Sequence, residues 1–314
     1  MRVKRLLAIA IFSMTLVSFI LFAEPAKTKV IADVNFWETS PKSTQNPISI
    51  IAQKVSSSSE INQFAPVKGC SIQPPANPLE LSLPVVLTTT PITLERFRKP
   101  SSISTSISNP SHKEISYNPR EEIDLAANSN YGERYLKDLS GMSLNNAPII
   151  VLHETVGSTN SVIHFFQEFH DDEDSQASYH TLISLDGTIV YFVPPDKRAF
   201  GAGNSVFVSS LGQETIQTNP LYPSSVNNFA YHISLETPED GMHNGDSHSG
   251  YTEAQYQSLG WLVAKTDVPL ERITTHKNVD RSGSRIDPRS FDADRFKKVL
   301  SEYPRNNEIA IGCP

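Results

Sequence analysis

The hydrophobic patterning of this chain changes abruptly near Ala147, and that change limits what can fold. From about Glu24 to Asn118 the chain is rich in Ser, Thr and Pro and poor in periodicity, as in Ser56-Ser57-Ser58-Ser59, Pro74-Pro75 and 101–110. Segments of that kind bury too little apolar area to offset chain entropy. The reading for 24–118 is a linker that pairs weakly or packs against the main domain. A small all-β domain using Ile48–Ala52 and Leu81–Leu87 is the alternative. The compact part is expected within 119–314.

There the pattern becomes dense. Pro148–Leu152 is a buried-strand run ending in His153. Caps at 159–161 precede Val162, Phe165, Phe166 and Phe169, which fall at i, i+3, i+4 and i+7 and predict a helix face. His164 and His170 lie in the same region. Tyr179–Leu185 and Thr188–Val193 flank Asp186-Gly187, a hairpin signal. The Gly- and Ser-rich stretch 199–223 predicts a loop, and Phe229–Leu235 another strand ending at Glu236. Thr252 with Gln255 three residues on forms a capping box for a helix with Tyr256, Leu259, Gly260 and Val263 inward. Ile273–Thr275 is a short strand leading to His276. Asp292 caps a last helix, with Phe291 and Phe296 as a staple and Val299, Leu300 and Tyr303 completing its apolar stripe. The order β-α-β-β-β-α-β-α predicts one α/β domain with a central mixed β-sheet flanked by helices.

Arg2, Lys4 and Arg5 precede 17 uncharged positions, Leu6–Phe22. This is the layout of an export signal, so residues 1–23 read as a signal peptide or an N-terminal anchor, and the protein as exported to the periplasm or to the cell envelope or extracellular space. A buried N-terminal helix would not explain the basic cluster. The two cysteines, Cys70 and Cys313, exclude a densely disulfide-stapled fold and a four-thiolate centre. Export would let them pair; two unrelated thiols are the other reading. The formal charge of -7 gives no reason to expect nucleic acid, and a monomer is expected.

Eight of the nine histidines lie between 153 and 276. His153 and His276 each follow a predicted strand, and strand ends are where α/β proteins place their sites. Asp287 follows His276 by 11 residues. Two imidazoles and a carboxylate make a zinc set with one open position. Spacing alone is weak support, because a histidine after a strand is usually a surface or hydrogen-bonding residue and an Asp before Pro usually a turn residue. Glu236, ending an apolar run, is either a proton-transfer carboxylate or a salt bridge at the sheet rim. Tyr179 is either a core aromatic or a hydroxyl aimed at a polarised carbonyl.

Taken together these motifs resemble the zinc-dependent N-acetylmuramoyl-L-alanine amidases of the type 2 group, a family shared with peptidoglycan recognition proteins. The carriers are His153-Glu154-Thr155, Tyr179-His180 with Leu185-Asp186-Gly187-Thr188, Asn228 with Ile233-Ser234-Leu235-Glu236, Thr252 to Gln255, Thr275-His276-Lys277 and Arg285-Ile286-Asp287-Pro288. They run in order from about Ala147 to Tyr303. The resemblance implies Zn2+ held by His153, His276 and Asp287, Glu236 as the catalytic carboxylate, and Tyr179 and Arg285 as catalytic groups holding an oxyanion. It implies peptidoglycan or muropeptides as partner and hydrolysis of the amide between N-acetylmuramic acid and L-alanine. A muropeptide-binding protein of the same fold without catalysis, an amidase acting on anhydro-muropeptides and an envelope protein with a dead site are the alternatives. Retention of all three ligands speaks against the first of these.

Two departures stand out. Arg285 sits where active members often carry lysine; it keeps the charge but is a poor proton donor. Gly201 stands where the family often has a histidine. Two further histidines, His243 and His248, fall in the predicted loop Thr237–Gly250, as rim residues or as holders of a second ion.

Overall fold

The computed structural model describes residues 70–76, 92–100 and 117–313. The expected signal or anchor at 1–23 and the two short apolar pieces, Ile48–Ala52 and Leu81–Leu87, lie outside the described residues. Among the described residues, no helix is long and apolar enough to cross a membrane.

The strands are β1 (Cys70–Ser71), β2 (Glu121–Ile123), β3 (Tyr131–Tyr135), β4 (Ile149–Glu154), β5 (Thr181–Ile183), β6 (Ile189–Tyr191), β7 (Lys197–Ala199), β8 (Phe207–Ser209), β9 (Gly212–Glu214), β10 (Ala230–Leu235) and β11 (Ile273–Thr275). The helices are α1 (Thr159–Gln167), α2 (Glu253–Ala264), α3 (His276–Val279) and α4 (Ala293–Leu300). Six strands form the central sheet in the order β11-β4-β10-β5-β6-β2. Pairing is parallel throughout except between β5 and β6. The sheet is therefore mixed, as the element order predicts.

Buried strands β4 and β10 sit at its centre, and every residue of both is buried. Alternation divides their side chains. Ile150, Leu152, Tyr231, Ile233 and Leu235 face one side and pack with Leu259, Leu262, Phe296 and Leu300 of α2 and α4. Ile149, Val151 and Ala230 face the other, over Phe207 and Val279. Such burial contributes about 1.5–3 kcal/mol per large aliphatic side chain, and it fixes the register. A one-residue slip would turn His153 away from the site face.

Local signals act where the sequence places them. Thr252 and Gln255 form the capping box of α2 in both directions. Asp292 accepts from the N–H groups of Asp294 and Arg295 at the start of α4, with the Phe291 and Phe296 rings 5.8 Å apart. Gly187 takes φ +87 in the β5–β6 turn, a conformation in which a Cβ is strained.

Three features differ from the sequence reading. Helix α1 ends at Gln167, so Phe169 leaves the apolar face and is 71% exposed. The stretch 199–223 contains the β8–β9 hairpin, whose Gly and Ser content hides its short pairing. Strands β2 and β3 precede Ala147 and lack strong alternation. β3 joins a second sheet, β1-β3-β7, and its buried Arg134 donates to the carbonyls of Pro195 (3.1 Å), Asn228 (2.8 Å) and Ala230 (2.9 Å).

Part of the polar flank packs on this frame. Phe97 is buried against Tyr191, centroids 5.0 Å apart. Arg98 donates to both oxygens of Glu121 (2.8 and 2.6 Å) and to Glu308 (3.0 Å). Cys70 and Cys313 form a disulfide with Cα atoms 5.6 Å apart.

Candidate metal centre

Three elements deliver three ligands to one point. His153 is the fifth residue of β4, His276 opens α3 directly after β11, and Asp287 lies in the loop before α4. Because β11 lies beside β4 in parallel register, their C-terminal ends coincide. Thr275 caps α3 through the N–H of Asn278, and the Lys277 N–H donates to the Asp287 carbonyl at 2.9 Å. These bonds hold the His276 and Asp287 segments together.

One ligand atom from each residue lies within 4.8 Å of the other two. His276 Nδ1 is 3.0 Å from Asp287 Oδ1 and 3.1 Å from Oδ2. His153 Nδ1 is 3.4 Å from Asp287 Oδ2. Ligands about 2.0–2.1 Å from a tetrahedral ion sit roughly 3.4 Å apart, so these separations fit one zinc. His153 Nδ1 is fully buried yet has no hydrogen-bond partner. A 3.4 Å approach to a carboxylate is long for a hydrogen bond and suits two ligands of a shared cation. Among the described residues this is the one such cluster, and its chemistry and geometry are those of a zinc site.

The electrostatics agree. Burial holds the His153 imidazole neutral, with its pKa down to about 4 although Asp287 pulls it the other way. Burial opposes ionisation of Asp287, but the adjacent His276 and His153 more than offset it and leave it a carboxylate. A neutral imidazole and an ionised carboxylate are the ligand forms.

Tyr179 stacks on the His153 ring at 4.6 Å and 29°. Burial, reinforced by Asp287, pushes its hydroxyl pKa up, so it stays a donor at neutral pH. Arg285 is exposed at the rim, and its charge reaches both His153 and Tyr179. Glu236 is anchored by the main chain. It is 8% exposed; Oε1 accepts the Thr159 N–H at 2.9 Å and Oε2 the Leu185 N–H at 2.8 Å. The carboxylate thus ties the first residue of α1 to the β5–β6 turn.

Further residues surround the ligands, among them His232 and Arg289, which the sequence reading did not single out. His232 Nδ1 lies 2.9 Å from His153 Nε2. Glu154, beside His153, is buried with Arg289, two residues after Asp287, and also accepts from Tyr251 (2.9 Å) and meets His248 Nε2 (3.0 Å). Arg289 in turn donates to the carbonyls of Gly241, His243 and Gly245. This network fastens the 237–250 loop to the ligand segments. His248 is committed to it, and among the described residues neither His248 nor His243 belongs to a metal-holding cluster. Glu154 carried a signal in its sequence, as a charge closing an otherwise apolar strand.

Residues 144–290 match the family model described as N-acetylmuramoyl-L-alanine amidase. The chain is 32% identical over 130 residues to the 1,6-anhydro-N-acetylmuramyl-L-alanine amidase AmpD of Salmonella typhimurium, across 40% of this chain and 58% of that protein. The AmpD of Citrobacter freundii gives the same identity and coverage. The chain thus spans 58% of the length of these curated relatives. A crystal structure of a selenomethionine derivative of AmpD superposes with a TM-score of 0.40 at 24% identity, covering 59% of this chain and 96% of that one.

Proposed function

We propose, on the premise that residues 144–290 belong to the type 2 N-acetylmuramoyl-L-alanine amidase family, that this protein is a zinc-dependent hydrolase. Its reaction is cleavage of the amide between N-acetylmuramic acid and L-alanine in peptidoglycan. The observation that carries the reading is the convergence of His153, His276 and Asp287, with a buried, unpartnered ligand atom on His153.

His153, His276 and Asp287 would hold the ion. Bound there, zinc supplies a Lewis acid for the scissile carbonyl and acidifies water. The chain's own groups then act on the substrate oxygen. Tyr179, kept protonated by burial, donates a hydrogen bond to it. Arg285 adds a positive charge from the rim. Each such preorganised donor is typically worth about 3 kcal/mol of transition-state stabilisation. Glu236 is the catalytic carboxylate by resemblance. Each of its oxygens accepts one main-chain N–H, which holds α1 and the β5–β6 turn, and keeps a second lone pair. We assign it both that tie and the proton taken from water and passed to the leaving amine.

Two substrates are in play. The curated relatives are named for 1,6-anhydro-muropeptides. Residues 1–23 favour intact wall, since an exported enzyme would meet it outside the cytoplasmic membrane. Mass analysis of products from purified peptidoglycan and from anhydro-muropeptides, with and without a chelator, tests the reading. New L-alanine N-termini that vanish with chelation are expected from at least one substrate. Zinc-loaded protein that binds muropeptides and releases no such product would instead make it a binding protein.

A further inference from the structure

A histidine within β10 lies beside the metal ligand of β4. Ala230, His232 and Ser234 share the site face of β10, and Ser234 is the register partner of His153. His232 is fully buried, and its Nδ1 meets His153 Nε2 at 2.9 Å. Between two imidazoles such a contact is a hydrogen bond only when one nitrogen carries the proton and the other does not. His153 offers Nδ1 toward Asp287 and His276, so its proton belongs on Nε2. His232 Nδ1 is then the acceptor.

The space for that ring is made elsewhere in the chain. A Cβ built on Gly201 would come within 2.6 Å of His232 Cγ and Nδ1. Any side chain at 201 would therefore displace the imidazole from His153. A third histidine fixes the backbone: the main-chain N–H of His232 donates to His180 Nδ1 at 2.9 Å, and His180 Nε2 is 3.1 Å from the Lys197 carbonyl. The two rings lie nearly parallel, 12° apart.

We propose that His232 is a positioning residue for the metal centre: it accepts the Nε2 proton of His153, fixes the tautomer that presents Nδ1 to zinc, and depends on the missing side chain at Gly201 to reach it. Outer partners of this kind orient a ligating imidazole and raise its basicity, and losing one typically costs about 10- to 100-fold in metal affinity. The proposal rests on the zinc reading above but not on the identity of the substrate.

The test is zinc affinity of the full chain, measured by competition with a chelating dye, alongside melting temperature. His232→Leu keeps bulk and removes the acceptor; it should bind zinc roughly 10- to 100-fold more weakly. His232→Asn can place an oxygen near the Nδ1 position and should recover most of that loss. Gly201→Ala, which changes no polar group, should weaken zinc in the same direction. A folded His232→Leu protein with parental affinity would overturn the proposal. Should that variant not fold, nitrogen-15 NMR of the zinc-loaded parent decides. His153 protonated at Nε2 and His232 bare at Nδ1 is expected, and the reverse assignment overturns it. A parent chain that binds no zinc would remove the zinc reading and this proposal together, whereas equal affinities with and without the His232 acceptor remove this one alone.

Discussion

Replacing Glu236 by Gln separates a carboxylate that moves protons from one that holds structure. The parent side chain accepts two main-chain N–H groups, from Thr159 and Leu185, in a site only 8% exposed. Gln keeps one acceptor oxygen and turns an NH2 donor toward the other N–H. One hydrogen bond to a charged acceptor, about 1.5–3 kcal/mol, is lost, and a buried donor is left unpaired at about 1–3 kcal/mol. The carboxylate's favourable placement at the start of α1 is lost as well. A net destabilisation of about 3 kcal/mol is expected. For a domain of this size that lowers the melting temperature by roughly 6–12 °C. Below that temperature the zinc content should match the parent, and kcat/KM should fall by far more than about tenfold, because Gln cannot take a proton. A general base contributes roughly 100- to 10,000-fold. Calorimetry, zinc analysis and turnover on a defined muropeptide read the three quantities on the same sample. A folded, zinc-loaded variant that turns over within about tenfold of the parent would refute the proton-transfer role, and one that melts like the parent would refute the structural tie.

Tyr179→Phe removes one donor to the substrate oxygen and should lower kcat by roughly 100-fold with zinc content unchanged; an unaltered kcat would exclude the hydroxyl from the reaction. His276→Ala should take zinc to below about a tenth of an equivalent, checked by elemental analysis, because two remaining protein ligands bind poorly. The disulfide Cys70–Cys313 closes a separation of 243 residues, for which chain entropy alone gives about 5 kcal/mol. The double Ser variant should show a clearly lower urea midpoint, and an unchanged one would mean the crosslink adds nothing. Burial, then the charge of Arg134, holds the His180 imidazole neutral with its pKa well below 6.5. The unfolded chain therefore takes up that proton first as pH falls. The His180 share of stability should be full above pH 6.5 and decline below it by about 1.4 kcal/mol per pH unit, on top of the same trend from buried His153 and His232, visible as a lower urea midpoint at pH 5.5 than at pH 7.5. His180→Gln should make that slope shallower by the His180 share.

Much of the domain was legible because its signals are local. A capping box is four residues long, a turn such as Asp186-Gly187 two, and a buried strand announces itself by an unbroken apolar run. Those signals gave α2, α4, β4 and β10, and they put His153 and His276 at strand ends. What local patterns do not carry is which distant groups meet. The flank around Phe97 looks like linker because its burial comes from Tyr191, 94 positions later. Strand β3 is held by Arg134 reaching carbonyls on two other segments, a contact with no sequence period.

By itself, then, the sequence determined most of the domain's elements and their order, and through motifs of a few residues each it pointed, by resemblance, to the three ligands. The tertiary structure decided the rest. Parallel register of β11 on β4 brings His276 and Asp287 to His153, and the turn of the chain gives the Glu236 oxygens to two main-chain N–H groups. It also sets His232 of β10 against His153 in the space left at Gly201. Side-chain chemistry is written residue by residue, but proximity is written only by packing.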